Sequence, residues 1–183
     1  MILIGAGGCC RDTVSFFNAK NIVIFDDNKT GFIEHCPIIG TIDDLIRMRP
    51  TDDVFNCVGS VGDNRVRNRI YEKLKAADIK VRPLLLCTFI SLNAKIGENV
   101  LANIGSQIHH DCVIGDNSVI SPGVIICGNV TLEGNNFVGA GAVIIQGLTI
   151  GANAIVGAGS VVIHDVPPNA VMVGNPAKFI KWN

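Results

Sequence analysis

Several things are scarce in this 183-residue sequence, and each scarcity narrows the reading. The formal net charge is −1, which offers no electrostatic handle for nucleic acid or for an anionic membrane surface. No run of eighteen or more apolar residues occurs, so membrane insertion is not expected. No signal peptide is expected either, because the chain opens directly into an apolar strand, Met1 to Ile4. The seven cysteines are odd in number, irregularly spaced and without paired metal-type clusters, which fits a reduced, cytoplasmic setting. There are only four histidines, and no H-x-x-x-x-H spacing appears. After His110 the next is His164, three coils further along the repeat described below, so no catalytic metal is expected. Aromatic residues make up 5% of the chain while glycine numbers 20, a balance that suits stacked repeats of small aliphatic side chains.

What is present is a period of six. From Ile90 to about Pro167 the first place of each hexad is Ile90, Ile96, Ala102, Ile108, Ile114 and Ile120. It continues Ile126, Leu132, Val138, Ile144, Ile150, Val156 and Val162 without an insertion. The second place is often glycine, as at Gly97, Gly115, Gly139, Gly151 and Gly157. The fifth is mostly small, as at Ser106, Cys112, Ser118, Ala142 and Ala154. Six matches neither a helical turn nor a simple alternating strand. It predicts a parallel β-helix in which each hexad makes one short strand and one corner. The aliphatic residue points into a narrow prism and stacks on its counterpart one coil later, so stability is close to a sum over neighbouring coils.

Ahead of the hexads the pattern is α/β. The strand Met1 to Ile4 feeds Gly5-Ala6-Gly7-Gly8, and a helix is expected from about Cys9 to Lys20. Bare backbone N–H groups and the dipole at such a helix start favour an anion. A second strand, Ile22 to Phe25, ends in Asp26-Asp27, placed to bond ribose hydroxyls or a base. The full G-x-G-x-x-G spacing is missing, since Cys10 stands where the third glycine would fall. The segment is also too short for a complete dinucleotide fold. It reads as half a Rossmann unit suited to a mononucleotide or nucleotide sugar, the alternative being a tight turn with no ligand.

A short helix is expected around Gly40 to Met48, then a third strand, Val54 to Val58, ending at Gly59-Ser60, where backbone can again approach a ligand. The stretch from Asn64 to about Ala77 is amphipathic, with Val66, Ile70 and Leu74 on one face and Arg65, Arg69 and Lys73 on solvated ones. The expected architecture is therefore a small half-Rossmann α/β domain over 1–83, with alternating strands and helices, followed by an all-β parallel β-helix over 84–183. Cys9 and Cys10 sit where a helix start lowers a thiol pKa, so they are either reactive or small packing residues.

His109, His110 and Asp111 fall in the second, third and fourth places of the hexad from Ile108. With Ile108 and Cys112 inside the prism, His110 is expected outside it, near a corner. A histidine oriented by a carboxylate is a general base at neutral pH. It is equally the pattern of a surface histidine, since adjacent side chains on a strand point apart.

The hexads, the tail Val171-x-x-Gly174-Asn175-Pro176-Ala177-Lys178, the turn Gly5-Ala6-Gly7-Gly8 and Asp26-Asp27 together resemble the hexapeptide-repeat acyltransferases. The closer resemblance is to the sialic-acid O-acetyltransferase-like sugar acyltransferases, a family that includes bacterial N-acetyltransferases of nucleotide-linked 4-amino sugars. It covers essentially the whole chain. It implies a left-handed coil, although parallel crossovers in general favour the right hand. It also implies a homotrimer with the active site between subunits, an acetyl-CoA co-substrate and a nucleotide-sugar substrate.

By position the resemblance makes His110 the base and Asp111 the group that raises its basicity. Asn103 falls near the acceptor amine, and Gly7, Gly8, Cys9, Asp26, Asp27 and Gly59 hold the nucleotide. Acetyl-CoA contacts fall at Val119, Ala140 and Ala158. A backbone N–H near Gly128 is placed to steady the oxyanion, and Lys178 is either a partner for a CoA phosphate or a solvated tail residue. Two positions depart from the family pattern. Cys9 stands in place of a histidine in the nucleotide loop, and Val119 in place of a second active-site histidine. The expected function is acetyl-CoA-dependent N-acetylation of a UDP- or dTDP-linked 4-amino-deoxy sugar in bacterial surface glycan or glycoprotein biosynthesis. O-acetylation of a sialic-acid-type sugar and a non-catalytic trimeric nucleotide-sugar-binding scaffold stand as alternatives.

Overall fold

The computed structural model describes residues 1–17, 21–59 and 64–183. The expected end of the first helix at Lys20, and Ser60 after the third strand, lie outside the described residues. The chain begins with β1 (Ile2–Ile4), α1 (Gly8–Phe17), β2 (Val23–Phe25), β3 (Gly31–Ile33) and β4 (Cys36–Gly40). It continues with α2 (Ile42–Met48), β5 (Val54–Asn56), α3 (Arg65–Ala76) and β6 (Val81–Arg82). These strands form one sheet in the order β3-β4-β2-β1-β5-β6, parallel except where β3 meets β4. The antiparallel hairpin β3–β4 interrupts the expected alternation of strand and helix. Its sequence basis is two short apolar runs around Glu34-His35, with Glu34 in the left-handed region at φ 53°.

β1 lies inside this sheet and is buried on both faces. Leu3 packs on the side of α1, while Ile2 and Ile4 pack on the side of α2 and α3, as strand alternation requires. Thr41 starts α2 with a reciprocal capping box to Asp44, whose carboxyl is held down to about 2 by its bonds to the Thr41 backbone and hydroxyl.

α3 departs from its sequence reading. Its buried stripe is Arg67, Ile70, Tyr71 and Leu74, whereas Val66 is 51% exposed. The helix is seated by where its neighbours lie rather than by its most apolar arc, and Arg67 takes the inner place that valine was expected to hold.

From Leu84 onward, fourteen two-residue strands, Leu84–Leu85 to Val161–Val162, wind among the described residues into a left-handed parallel β-helix with three faces. Partners in successive coils are Leu101, Val119, Phe137 and Ile155 on the first face. They are Gln107, Ile125, Val143 and Val161 on the second, and Lys95, Val113, Thr131 and Thr149 on the third. These residues point outward. The following residue of each strand points in, and Ile108, Ile120, Ile126, Leu132, Val138 and Ile144 are fully buried in the prism. Each such side chain stabilises the stack by roughly 1.5–3 kcal/mol relative to exposure. The hexads begin earlier than the count from Ile90 suggests. Leu84–Leu85 pairs with Leu101–Ala102, a span one residue short of the later coils, which hides it from a strict period of six.

The fourth place of the hexad carries a signal of its own. Asn93, Asn99, Gly105, Asp111, Asn117 and Gly123 all have positive φ, and so do their successors Asn129, Asn135, Gly141, Gly147, Asn153 and Gly159. The chain turns each corner through the left-handed region, where asparagine, aspartate and glycine cost least. Second-place glycines answer a different need. A Cβ on Gly139 would lie 2.5 Å from the backbone nitrogen of Ala158, so the coils stack only without it.

The outward residues of the first face, Leu84, Leu101, Val119 and Phe137, are buried against Leu3, Ala6, Cys10 and Val14. The strand Ala170–Val173 extends this face, and Lys178–Trp182 adds an antiparallel edge to it. Among the described residues no helix is long and apolar enough to cross a membrane.

Candidate functional site: a histidine corner and a nucleotide-sized cavity

The hexad from Ile108 turns the corner between the second and third faces. Ile108 and Cys112 point into the core, which leaves His109, His110 and Asp111 to form the turn. Asp111 occupies the left-handed fourth place at φ 60°, and this swings its carboxylate back toward its neighbour. His110 Nδ1 meets Asp111 Oδ2 at 2.9 Å, and Asn93 Nδ2 donates to Asp111 Oδ1 at 3.2 Å. Both bonds, the histidine's first, hold the Asp111 carboxyl below the usual carboxylate range. With Nδ1 turned to a carboxylate, the proton belongs on Nδ1 and the lone pair on Nε2. Nε2 has no partner among the described residues.

One coil on, Gly128 lies beneath the ring. A Cβ there would fall 2.5 Å from Nε2, so only glycine leaves room for the imidazole in this pose. The Gly128 carbonyl accepts from Gly147 N at 3.0 Å, while its N–H makes no hydrogen bond among the described residues.

The second feature is a cavity of about 590 Å³ at the carboxyl ends of β1, β2 and β5. This is where open α/β sheets take ligands, and the volume lies in the range of small-molecule sites. Gly7, Gly8, Cys9, Asp26, Asp27 and Gly59 all line it, so the fold brings these sequence-predicted residues together. A Cβ on Gly7 or Gly8 would meet nothing, so these two glycines leave open space in the cavity rather than relieve a clash. Gly5 differs: at φ 89° its Cβ would sit 2.6 Å from Val58 Cγ2.

The acids are less free than their sequence position implies. Asp26 Oδ2 accepts from Ala6 N at 2.6 Å and Oδ1 from Asn28 N at 2.8 Å, so this carboxylate pins the glycine turn. Asp27 Oδ1 accepts from Ile42 N at 2.9 Å at the start of α2. Behind the turn, the Cys57 thiol donates to Thr13 Oγ1 at 3.7 Å, and its interaction with the neighbouring Cys10 and Cys9 thiols lowers those two and raises Cys57.

Sequence reasoning missed the cations. Arg69 and Lys73 of α3, together with Lys29, line the cavity rather than a purely solvated face. It also missed Arg67, whose guanidinium is fully buried behind the Cys57–Gly59 wall. Arg67 donates to Asn56 O at 2.8 Å, Val58 O at 3.0 Å and Asn99 Oδ1 at 3.0 Å, and also to Asn99 O. Burial lowers its pKa to about 10. The signal for Arg67 was spacing, since it stands three residues before Ile70 and seven before Leu74.

The remaining expected site residues lie elsewhere. Asn103, Ala140 and Ala158 fall at the corner between the first and second faces, a different edge of the prism from His110 and Gly128. Asn103 Nδ2 donates to Ile120 O at 3.4 Å, and Ala140 O accepts from Gly159 N at 2.8 Å. Within one chain these two groups are not brought together. Val119 is 2% exposed in the seam under α1, so it has no surface to offer a cofactor. The seam explains why an apolar residue stands there. Lys178 is exposed in the final strand. Among the described residues there is no group of three or more His, Cys, Asp or Glu that could hold a metal ion.

Residues 1–74 match the PglD N-terminal domain, and residues 93–128 match the bacterial transferase hexapeptide (six repeats). None of the curated proteins matches. Among solved structures, the chain is similar to a histidine-to-asparagine variant of perosamine N-acetyltransferase from Caulobacter crescentus in complex with CoA and GDP-perosamine. The identity is 27%, over 98% of this chain and 96% of that one, with a TM-score of 0.80. It is also similar to the acetyltransferase domain of PglB from Neisseria gonorrhoeae, at 26% identity, 98% coverage of both chains and a TM-score of 0.72. The N-terminal part thus matches a PglD-type domain, the coils match hexapeptide-transferase repeats, and the full-length likeness is to sugar acetyltransferases.

Proposed function

We propose that the protein transfers the acetyl group of acetyl-CoA to the amine of a nucleotide-linked 4-amino-deoxy sugar, with His110 as general base. The observation that carries this reading is the His110–Asp111 bond of 2.9 Å, which leaves Nε2 open on a chain that also holds a nucleotide-sized cavity. Two similar proteins support the substrate classes: one structure contains CoA and GDP-perosamine, and another, the PglB domain, acetyl coenzyme A.

In the step itself, the neutral amine attacks the thioester carbonyl and a C–N bond forms. Nε2 takes the amine proton, and Asp111 steadies the imidazolium. The oxyanion is met by the N–H of Gly128, and the C–S bond then breaks as the imidazolium returns its proton to the leaving sulfur, releasing CoA as thiol. No acyl-enzyme is needed, so the cysteines are bystanders. Gly7, Gly8, Cys9 and Gly59 hold the nucleotide by backbone approach, with Asp27 toward the ribose or base, while Asp26 shapes the turn.

Asn103, Ala140, Ala158 and Lys178 come to His110 from a neighbouring subunit of a homotrimer, because one chain sets them on separate edges of the second face. That face supports the assembly: it is outwardly apolar at Ile125, Val143 and Val161, and Leu92 beside it is 82% exposed. The working division is a nucleotide-binding part, 1–83, and a coil part, 84–183, in a cytoplasmic enzyme of surface-glycan or glycoprotein assembly.

The test is thiol release from acetyl-CoA across UDP-, dTDP- and GDP-linked 4-amino sugars, with free sialic acid alongside. Turnover with one amino-sugar nucleotide is expected. Activity on sialic acid alone would move the reaction to O-acetylation. Silence together with no CoA binding would leave a scaffold as the reading.

Gly128→Ala is expected to lower turnover about a hundredfold, since displacing a catalytic group by about 1 Å costs that much. The added methyl drives the ring off its pose and breaks its bond to Asp111. Imidazole NMR shifts of His110 should change in the same variant. Unchanged shifts with wild-type kcat would remove Gly128 from the site.

A further inference from the structure

The cavity is lined by three cations, and their partners separate them. Lys29 Nζ donates to Ala6 O at 2.7 Å, so it is committed to the glycine turn. Lys73 Nζ lies 2.6 Å from Asp43 Oδ1. Arg69 has no hydrogen bond or ion pair among the described residues, and it is the one lining cation of which this is true. Neither acid of the cavity is paired with it: both oxygens of Asp26 accept backbone N–H groups, and Asp27 Oδ1 accepts from Ile42 N. Arg67 stands behind the Cys57–Gly59 wall with only carbonyl and amide oxygens as partners, so its charge adds to the positive potential of the site.

The cavity thus has two anion-seeking elements: the turn at the start of α1, and the free guanidinium of Arg69. A diphosphate offers one phosphate to each. We propose that Arg69 holds the second phosphate of a nucleoside diphosphate, so that this cavity selects diphosphate-linked sugars over nucleoside monophosphates and free sugars. The inference rests on the nucleotide-sugar reading above and specifies how that substrate is chosen. A guanidinium suits the task because its planar fork meets two phosphate oxygens at once, which an ammonium cannot do.

Calorimetric titration of the full chain with UDP, UMP, GDP and GMP tests this. The wild type is expected to bind the better diphosphate at least about tenfold more tightly than its monophosphate. Arg69→Ala should weaken diphosphate binding by about ten- to a hundredfold, the scale of a charge-assisted bond. It should change monophosphate binding by less than about threefold. Arg69→Lys, which restores the charge without the fork, should recover part of the loss. Arg69 is exposed, so the variant's unfolding midpoint should match the wild type and exclude a folding defect.

Equal weakening of diphosphate and monophosphate would overturn the inference, because Arg69 would then be a general surface charge. So would a wild type that binds the two alike. Either result leaves the acetyl-transfer reading standing on its thiol-release assay. A wild type that binds no nucleotide and acetylates no nucleotide-linked sugar would remove both.

Discussion

Replacing His110 with alanine is expected to lower kcat for acetyl transfer by about 10²- to 10⁴-fold, the usual scale for losing a general base. The ring is exposed and its only polar contact among the described residues is to Asp111, so the variant should fold as the wild type does. The loss should therefore fall on kcat, with the KM for nucleotide sugar little changed, because the cavity lies on the sheet and not at the coil corner. Asp111→Asn should lose less. The amide can still orient the ring by accepting from Nδ1–H, but it cannot stabilise the imidazolium by charge. The pair of variants separates orientation from electrostatics. If His110→Ala kept turnover within about threefold of wild type, the base would have to be another group, and the corner would be structural only.

The second large effect concerns stability. Arg67→Ala is expected to cost about 3 to 5 kcal/mol, read from denaturant unfolding. Two physical terms add. The carbonyls of Asn56, Val58 and Asn99 lose their donor in a buried place, and a void opens where a long side chain stood. Arg67→Met should lose less, since it refills the volume and removes a charge that is costly to bury, as the lowered pKa of about 10 reflects. Because Asn56 and Val58 flank Cys57 in the cavity wall, and Asn99 belongs to the coils, nucleotide affinity should fall in both variants. A loss below about 1 kcal/mol for Arg67→Ala would mean that this network contributes little to stability.

How much of this was legible beforehand follows from the range of the interactions. The coils were plain in the sequence because each hexad repeats one local problem, a strand and a corner, and Ile108, Ile120 or Leu132 meets it alone. The same holds for the strand–glycine–helix turn at Gly5 to Gly8. The positive-φ fourth place was equally visible in Asn93, Asn99, Asp111 and Asn117, and it explains how two adjacent residues, His110 and Asp111, come to share a hydrogen bond. Their meeting could not be read from strand alternation, which sets neighbours apart. The hairpin β3–β4 leaves little mark in the sequence because its strands are short and carry no period.

The repeat, its inward column and the half-Rossmann turn follow from the sequence alone, since each depends on residues within one hexad or one turn. Long-range packing set the rest. It put Val119 in a seam and Arg67 in the core, because packing of the first face against α1 and α3 overrides a helix's own apolar arc. It tied Asp26 to Ala6 N and left Arg69 unpaired among the described residues, because such partners come from segments far apart in sequence. It also placed Asn103, Ala140 and Ala158 on a different edge from His110, since a three-sided coil sends each successive corner to a different side.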